Sequence, residues 1–191
     1  MDSRWDAMTD RQLLTAYVHS RDVQAFGAFV VRHESALLSF AASFLRDETG
    51  AQDVVQEAFL RAARHPQRIL DAADQGAPER NWLLKVVRDL SIDSLRRRAT
   101  ERRAVVELAP AAPKLAPSPE AAAQAGEEIQ RMRAAIHKLR PRLRELLLLR
   151  VQEHKSYQEI AQITGLSVTN VGFLLHQAVR ELARTIESLS D

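Results

Sequence analysis

The polar residues with the most specific spacing in this chain lie near its C-terminus, where they could bind DNA. Ser156 and Glu159 have the spacing of a capping box, in which two side chains satisfy backbone N–H groups at the start of a helix. Gly165 permits a positive φ in a turn, and Ser167 is placed to cap a second helix. Two helices joined by a short turn form a helix-turn-helix, whose second helix enters the major groove of DNA.

The second of these helices would carry the residues that read the duplex. Asn and Gln side chains can hydrogen-bond adenine edges, and Arg can bind guanine or a phosphate. A generic helical hairpin that binds no DNA would share the same caps, and it stays open as the alternative. The candidates for duplex contacts are Ser167, Thr169, Asn170, Phe173, His176, Gln177 and Arg180.

A second polar cluster falls on a segment with helical periodicity. Asp53, Gln56 and Glu57 lie within one helical turn, while Val55 and Phe59 supply apolar area on other sides. A helix of this kind could dock on a pair of helices in a partner. A plain amphipathic helix with a solvated polar face explains the same pattern, so both interpretations stay open.

Positive charge accumulates in two segments. Residues 61–107 hold 11 Lys and Arg against 7 Asp and Glu, and residues 130–191 hold 10 against 6, although the net charge is only +2. Five Arg stand between Ser91 and Arg103, near the end of a predicted helix, where the helix dipole also favours cations. Two basic segments suggest two contacts with a polyanion, and solvated helix faces are the alternative.

Helices position all of these clusters. Strand-type alternation is nearly absent, and Ala, Leu, Arg, Glu and Gln dominate, so the sequence predicts an all-α fold. Four Pro between residues 110 and 119 cannot lie inside a helix and indicate an extended Pro/Ala-rich linker. We expect two small helical domains, residues 1–107 and 127–191, joined by residues 108–126.

Capping residues and periodicity predict the individual helices. Thr9 with Gln12, and Thr49 with Gln52, have capping-box spacing, and Pro141 suits a first helical turn. Residues 66–78 are predicted as a polar loop. The predicted helices cover residues 10–19, 25–45, 50–64, 82–103, 120–139 and 141–153, followed by the two short helices of the helix-turn-helix.

Composition excludes several classes of protein. The 191 residues include no Cys, which rules out disulfides, Cys-ligated zinc and a thiol nucleophile. We expect no membrane insertion, because no apolar run approaches the roughly 18–20 residues that span a bilayer. The N-terminus lacks the basic and apolar regions of a secretory signal, so the sequence predicts a cytoplasmic protein.

Catalytic and cofactor motifs are not found in the sequence. The six His form no obvious ligand set, and there is no Gly-rich phosphate loop, GxSxG or HExxH. We therefore expect no metal, no cofactor, no catalytic residue and no enzyme activity.

Three strings, taken in order, resemble one known family. DVVQEAFL (53–60), NWLLKVVRDLSIDSLRRR (81–98) and SYQEIAQITGLSVTNVGFLLHQAVREL (156–182) are similar to the second conserved region, the promoter-melting region and the C-terminal helix-turn-helix of extracytoplasmic-function sigma factors. These are compact, two-domain bacterial transcription initiation factors. The resemblance runs from about Asp10 to the end of the chain.

The resemblance implies partners and roles for particular residues. Asp53, Gln56 and Glu57 would dock on the clamp coiled coil of core RNA polymerase, whose flap is a second contact. The loop before Trp82 would capture a base extruded from the non-template strand, and the C-terminal helix would read the minus-35 element of promoter DNA. An anti-sigma factor is a further expected partner. The residues implied for melted minus-ten DNA are Trp82, Lys85, Arg88, Arg96, Arg97 and Arg98.

Two other classes of protein compete with this interpretation. A conventional DNA-binding regulator with a helical sensor domain would explain the C-terminal motif but not the other two strings. A helical adaptor that binds protein alone would use the amphipathic faces without DNA. Retention of DNA affinity without polymerase would favour the regulator, and failure to bind DNA even with polymerase would favour the adaptor.

Overall fold

A computed structural model of the chain describes residues 3–106 and 127–190, and every regular element in these two ranges is a helix. The all-α prediction is confirmed, whereas the predicted linker, residues 108–126, lies outside the described residues. The helices are α1 (Ser3–Asp6), α2 (Asp10–Ser20), α3 (Val23–Leu45), α4 (Glu48–Arg64), α5 (Pro66–Asp74), α6 (Glu79–Val106), α7 (Glu127–Lys138), α8 (Pro141–Val151), α9 (Tyr157–Thr164) and α10 (Val168–Ser190).

Helix α3 is the central element of the N-terminal half. Asp22 caps its start by accepting hydrogen bonds from the backbone N–H groups of Gln24 and Ala25. Phe29, Leu37, Phe40 and other apolar residues of α3 are buried against α2, α4 and α6. By length and composition α3 could cross a membrane, but these buried side chains are what a core helix of a bundle requires.

The ends of α2 and α4 test the predicted caps. The Thr9 and Gln12 box is present at the start of α2, as predicted. At α4 the prediction was wrong: the helix begins at Glu48 with Asp47 as its N-cap, so Thr49 is already helical. Asp47 instead forms an ion pair with Arg98, which ties the start of α4 to α6.

The segment predicted as a polar loop contains a helix. Pro66 occupies the first turn of α5, where its missing N–H costs nothing. Ile69 and Leu70 are buried, which gives this short helix an apolar face. The predicted loop is therefore confined to the few residues between α5 and α6. A further difference is α10, which continues for 23 residues where a short helix was expected.

The C-terminal half packs α8, α9 and α10 around Leu146, Ile160 and Val171, all fully buried. This core is continuous with that of the N-terminal half, because α8 packs on α3 and α9 packs on α6. The buried Arg144 guanidinium also donates to the Phe44 carbonyl oxygen, at 3.0 Å, near the end of α3. The two halves thus form a closed arrangement with a shared, partly charged seam.

Candidate nucleic-acid interface

The helix-turn-helix has the geometry that its sequence predicts. Ser156 accepts a hydrogen bond from the Glu159 N–H at 3.2 Å, and Glu159 accepts from the Ser156 N–H at 2.9 Å. Gly165 ends α9 with φ of 71°, a conformation that favours glycine. The Ser167 hydroxyl then accepts from the Asn170 N–H at 3.2 Å and caps α10.

Glu159 carries a negative charge that holds the start of α9 in place. Burial would raise its pKa, but hydrogen bonds from Ser156 and the nearby Lys155 ammonium outweigh it and lower the pKa to about 2. Its carboxylate also lies 3.4 Å from the Asn81 amide nitrogen of α6. Glu159 is therefore charged at neutral pH and fixes the start of α9.

The outer face of α10 carries most of the predicted duplex contacts. Val171 and Leu175 are buried, which turns the opposite side of the helix to solvent. Phe173 is 68% exposed, an unusual state for so large an apolar side chain. Gln177 is half-buried. The other predicted contacts, all exposed, are Ser167, Thr169, Asn170, His176 and Arg180.

The polar patch of α4 lies beside the basic part of α6. Asp53 and Gln56 are exposed, and Glu57 is half-buried and accepts a hydrogen bond from Arg61 at 2.9 Å. Asp53 and Glu57 line an open cleft together with Arg97 and Arg98 of α6. The cluster predicted to bind polymerase and the cluster predicted to bind DNA are therefore adjacent in the structure. They are about forty residues apart in the sequence.

The basic residues of α6 divide into exposed and engaged groups. Lys85, Arg96 and Arg97 are exposed, and Arg96 lies 3.5 Å from Asp93, its i−3 neighbour. Arg98 is held by Asp47. The exposed group is free to approach a phosphate backbone.

Arg88 and Trp82 are less accessible than the other minus-ten candidates. The Arg88 side chain is 13% exposed and its Nε lies 2.5 Å from a Glu145 carboxylate oxygen of α8. Trp82 is half-buried against the main core. In this closed arrangement both residues contact protein.

Two residues at the start of α6, not singled out from the sequence, contact the C-terminal half. Arg80 pairs with Glu153, and Asn81 is 3% exposed beside Glu159. Both stand at the start of α6 and face the helix-turn-helix. Their partners are 73 and 78 residues away along the chain, so no local pattern could have identified them.

Comparison with known proteins agrees with this geometry. The family model for sigma-70 region 2 matches residues 29–101, and that for sigma-70 region 4 matches residues 129–182. The RNA polymerase sigma factor CnrH of Cupriavidus metallidurans is 32% identical over 94% of this chain and 96% of that protein. ECF RNA polymerase sigma factor SigL of Mycobacterium tuberculosis is 31% identical over 82% of this chain and 86% of SigL.

The chain belongs to the extracytoplasmic-function sigma factors. It is thus a transcription initiation factor, whose partners are core RNA polymerase and promoter DNA. The N-terminal helices include sigma region 2, and the helix-turn-helix lies in sigma region 4.

Two solved structures resemble the sigma factor along most of its length. CnrH in complex with the cytosolic domain of CnrY has a TM-score of 0.66 and 28% identity, covering 94% of this chain and 97% of that one. RpoE in complex with the anti-sigma factor NepR, from Bartonella quintana, has the same TM-score with 20% identity, covering 85% and 96%. The second similarity concerns the fold alone.

Proposed function

We propose that this sigma factor engages polymerase and promoter through three surfaces, each built on one helix. These are the polar patch of α4, the exposed basic residues of α6, and the outer face of α10. The observation that carries the proposal is the exposure of these polar and basic residues, while the opposite sides of the same helices are buried in one core.

The polar patch of α4 docks on the clamp coiled coil of core polymerase. Asp53 and Gln56 project to solvent from a helix whose other side, including Val54 and Val55, is buried. A rigid helix with a preformed polar face loses little conformational entropy on docking. Asp53, Gln56 and Glu57 are the contact residues, and the polymerase flap receives region 4.

Helix α6 contacts melted minus-ten DNA. Lys85, Arg96 and Arg97 supply exposed positive charge along this helix, and Arg98 lies beside them in the cleft with α4. Extruding a base costs a few kcal/mol of stacking, which enclosure by the short loop before α6 would offset. Arg88 joins this surface when its ion pairs with Glu145 and Asp89 open. Trp82, half-buried against the core at the start of the helix, belongs to the same surface.

Helix α10 reads the minus-35 element mainly with uncharged side chains, and Arg180 is the one Lys or Arg among its predicted contacts. Asn170 can hydrogen-bond an adenine edge, and the exposed Phe173 can contact the methyl group of thymine, the apolar group of the major groove. At the positions where this chain has Gly172, Leu174 and Gln177, sigma factors of this family commonly have basic residues. Because the first basic residue of α10 is Arg180, base contacts outweigh phosphate contacts in the first half of this helix.

The activity is non-catalytic, and the site of action is the cytoplasm, where core polymerase and promoter DNA meet. The chain binds no metal or cofactor in this scheme. An anti-sigma factor is the expected inhibitor. The structure of CnrH, which is similar to this chain, is a complex with the cytosolic domain of CnrY, which supports this expectation.

Selection of promoter fragments by the assembled holoenzyme tests the proposal. Core polymerase, with and without the sigma factor, is incubated with a pool of genomic fragments, and heparin-resistant complexes are sequenced. Enrichment of a two-element motif in the presence of the sigma factor is expected. Enrichment by the sigma factor alone, without polymerase, would favour the conventional regulator instead.

A further inference from the structure

Four basic side chains come together where the ends of α3 and α7 meet α8. Arg144 of α8 donates to the Phe44 carbonyl oxygen at 3.0 Å and to the His137 carbonyl oxygen at 3.2 Å. Arg46, the C-cap of α3, follows Phe44 by two residues. Arg133 precedes His137 by about one turn, so these two side chains lie on the same side of α7. We call Arg46, Arg133, His137 and Arg144 the basic cluster.

In the described part of the chain, the basic cluster has no carboxylate partner. The ion pairs between described residues include none of its three arginines. The acids that follow two of these arginines in the sequence are engaged elsewhere, since Asp47 pairs with Arg98 and Glu145 pairs with Arg88. Arginine stays protonated in proteins, so the cluster holds three permanent positive charges that an anion from solution could neutralise.

Two polar atoms of the cluster are buried without a partner. Arg144 also donates to the Leu139 carbonyl oxygen at 3.1 Å, and its guanidinium thus satisfies carbonyls at the ends of α3 and α7, where the helix dipole is negative. The Nε atom of Arg144 and the Nδ1 atom of His137 are buried and have no hydrogen-bond partner among the described residues. Because buried polar atoms nearly always have one, two such atoms in one cluster point to a further polar group at this place.

The arginines dominate the electrostatic potential at His137. Burial lowers its pKa first, and the charges of Arg46, Arg144 and Arg133 lower it further, to about 4. Among the described residues no acid offsets them. An anion bound beside these arginines would favour the protonated imidazole and raise the pKa of His137.

Phosphate oxygens suit the chemistry of the basic cluster. Arginine binds a phosphate through two parallel N–H groups. One phosphate group carries about −1.5 to −2 charge at pH 7, so a diphosphate matches three arginines better than a single phosphate does. Arg46 and Arg133 are exposed and accessible to such a group, whereas Arg144 is only 7% exposed. A small ligand therefore reaches Arg144 more readily than the backbone of duplex DNA does.

We propose that Arg46, Arg133, His137 and Arg144 form a binding site for the diphosphate group of a small molecule, either inorganic pyrophosphate or a nucleoside diphosphate. Arg46 and Arg133 supply the exposed contacts, Arg144 forms the buried side of the site, and His137 takes up a proton from solution as the ligand binds. The site shares no residue with the proposed surfaces of α4, α6 and α10, so it does not depend on the proposed function.

Calorimetric titration of the full chain with pyrophosphate at pH 7 tests the site. We expect saturable binding by the wild-type chain. Arg46→Gln with Arg133→Gln should weaken it by about tenfold or more, because hydrogen bonds to charged groups are lost. Both arginines are exposed and outside the ion pairs of the described residues, so this variant should fold normally.

The matched control also removes two exposed arginines. Arg21→Gln with Arg184→Gln causes the same change in net charge, and Arg21, like Arg46, is a helix C-cap in the left-handed conformation. The control variant should bind pyrophosphate like wild type. A nucleoside diphosphate that binds more tightly than pyrophosphate would identify a nucleotide as the ligand, and equal affinity would identify the diphosphate alone.

Nuclear magnetic resonance follows the same site without relying on affinity. The imidazole Cε1–H signal of His137, assigned with the His137→Gln variant, is titrated against pH with and without pyrophosphate. We expect the pKa of His137 to rise in the presence of pyrophosphate, and that of the exposed His19 to stay unchanged.

Three results would overturn the diphosphate site. They are no saturable binding of pyrophosphate by wild type, equal affinity of the two double variants, and a pKa of His137 that pyrophosphate does not change. Duplex DNA is titrated in parallel. Binding of DNA that requires Arg46 and Arg133, from a chain that does not bind pyrophosphate, would assign the basic cluster to the DNA backbone instead.

Discussion

Arg88 of α6 and Glu145 of α8 form an ion pair with a 2.5 Å separation between Nε and Oε1, across 57 residues of chain. The pair joins α6, in sigma region 2, to α8, in sigma region 4. The Arg88 guanidinium also lies 2.6 Å from the carboxylate of Asp89, its neighbour on α6, so acids of both helices hold it. With its side chain only 13% exposed, Arg88 is fixed at the contact between the two helices.

The polar patch of α4 can be removed without disturbing the core. Gln56→Ala with Glu57→Ala should weaken binding to core polymerase by about tenfold or more, as expected for central interface residues. Thermal stability should stay close to wild type, since Gln56 is exposed and Glu57 pairs with the exposed Arg61. Affinity is measured by fluorescence anisotropy with labelled sigma factor.

A matched control for the α4 patch is available on α3. Gln24→Ala with Glu34→Ala removes the same two residue types from exposed positions of the same half. This variant should bind polymerase like wild type. Equal affinity of the two double variants would contradict the assignment of the α4 patch.

The exposed arginines of α6 should act on DNA and not on polymerase. Arg96→Gln with Arg97→Gln should reduce open-complex formation, and each lost phosphate contact should lower the salt-dependence slope of promoter binding by about 1. Permanganate footprinting measures the melted region at several salt concentrations. Arg21→Gln is the control, since Arg21 is exposed at the end of α2. A parallel loss of core affinity would argue against a DNA role.

Phe173 should contact the methyl group of one thymine in the minus-35 element. Replacing the contacted thymine by deoxyuridine removes that methyl group. Promoter binding by the wild-type holoenzyme should then weaken by about 0.8 kcal/mol, or roughly fourfold in Kd. Phe173→Ala should be insensitive to the same change. Val179→Ala is the control, because Val179 is also exposed on α10 but is not a predicted contact. Equal sensitivity of wild type and Phe173→Ala at every thymine would exclude this contact.

His137 should make folding stability depend on pH. Burial, then the charges of Arg46, Arg144 and Arg133, lower its pKa to about 4 from 6.5. Between these values the unfolded chain binds a proton at His137 that the folded chain does not, so stability falls as pH falls from about 6.5 toward 4. Urea unfolding at pH 7 and pH 5 gives the free energy of unfolding at each pH. Between these values the decrease should be smaller for His137→Gln than for wild type. An exposed-residue variant, His19→Gln, should behave like wild type.

Local patterns predicted much of the fold. The Ser156 and Glu159 box, the positive φ of Gly165 and the burial of Val171 all follow from side chains within a few residues of one another. Such interactions are encoded by spacing alone, which is why the helix-turn-helix was identified from the sequence. The start of α4 was predicted wrongly because Asp47 and Thr49, two positions apart, are both residues that favour the N-cap. Local spacing alone does not choose between them.

Long-range contacts were beyond the reach of those patterns. The burial of Arg88 depends on Glu145, and that of Glu153 on Arg80, through a packing of halves that no periodicity specifies. Helix α5 was not predicted because its two large apolar residues, Ile69 and Leu70, stand among small and polar ones. The roles of the polymerase and DNA contacts remain predictions, supported by exposure and charge.

Run-off transcription shows whether this chain directs initiation by core RNA polymerase. Purified sigma factor and core RNA polymerase are combined on promoter fragments selected by the holoenzyme, with core alone and sigma factor alone as controls. We expect discrete transcripts that require both components and that decrease when the Gln56→Ala, Glu57→Ala variant replaces wild type. No transcript above the level of core alone, from a chain that is folded and binds core, would contradict it.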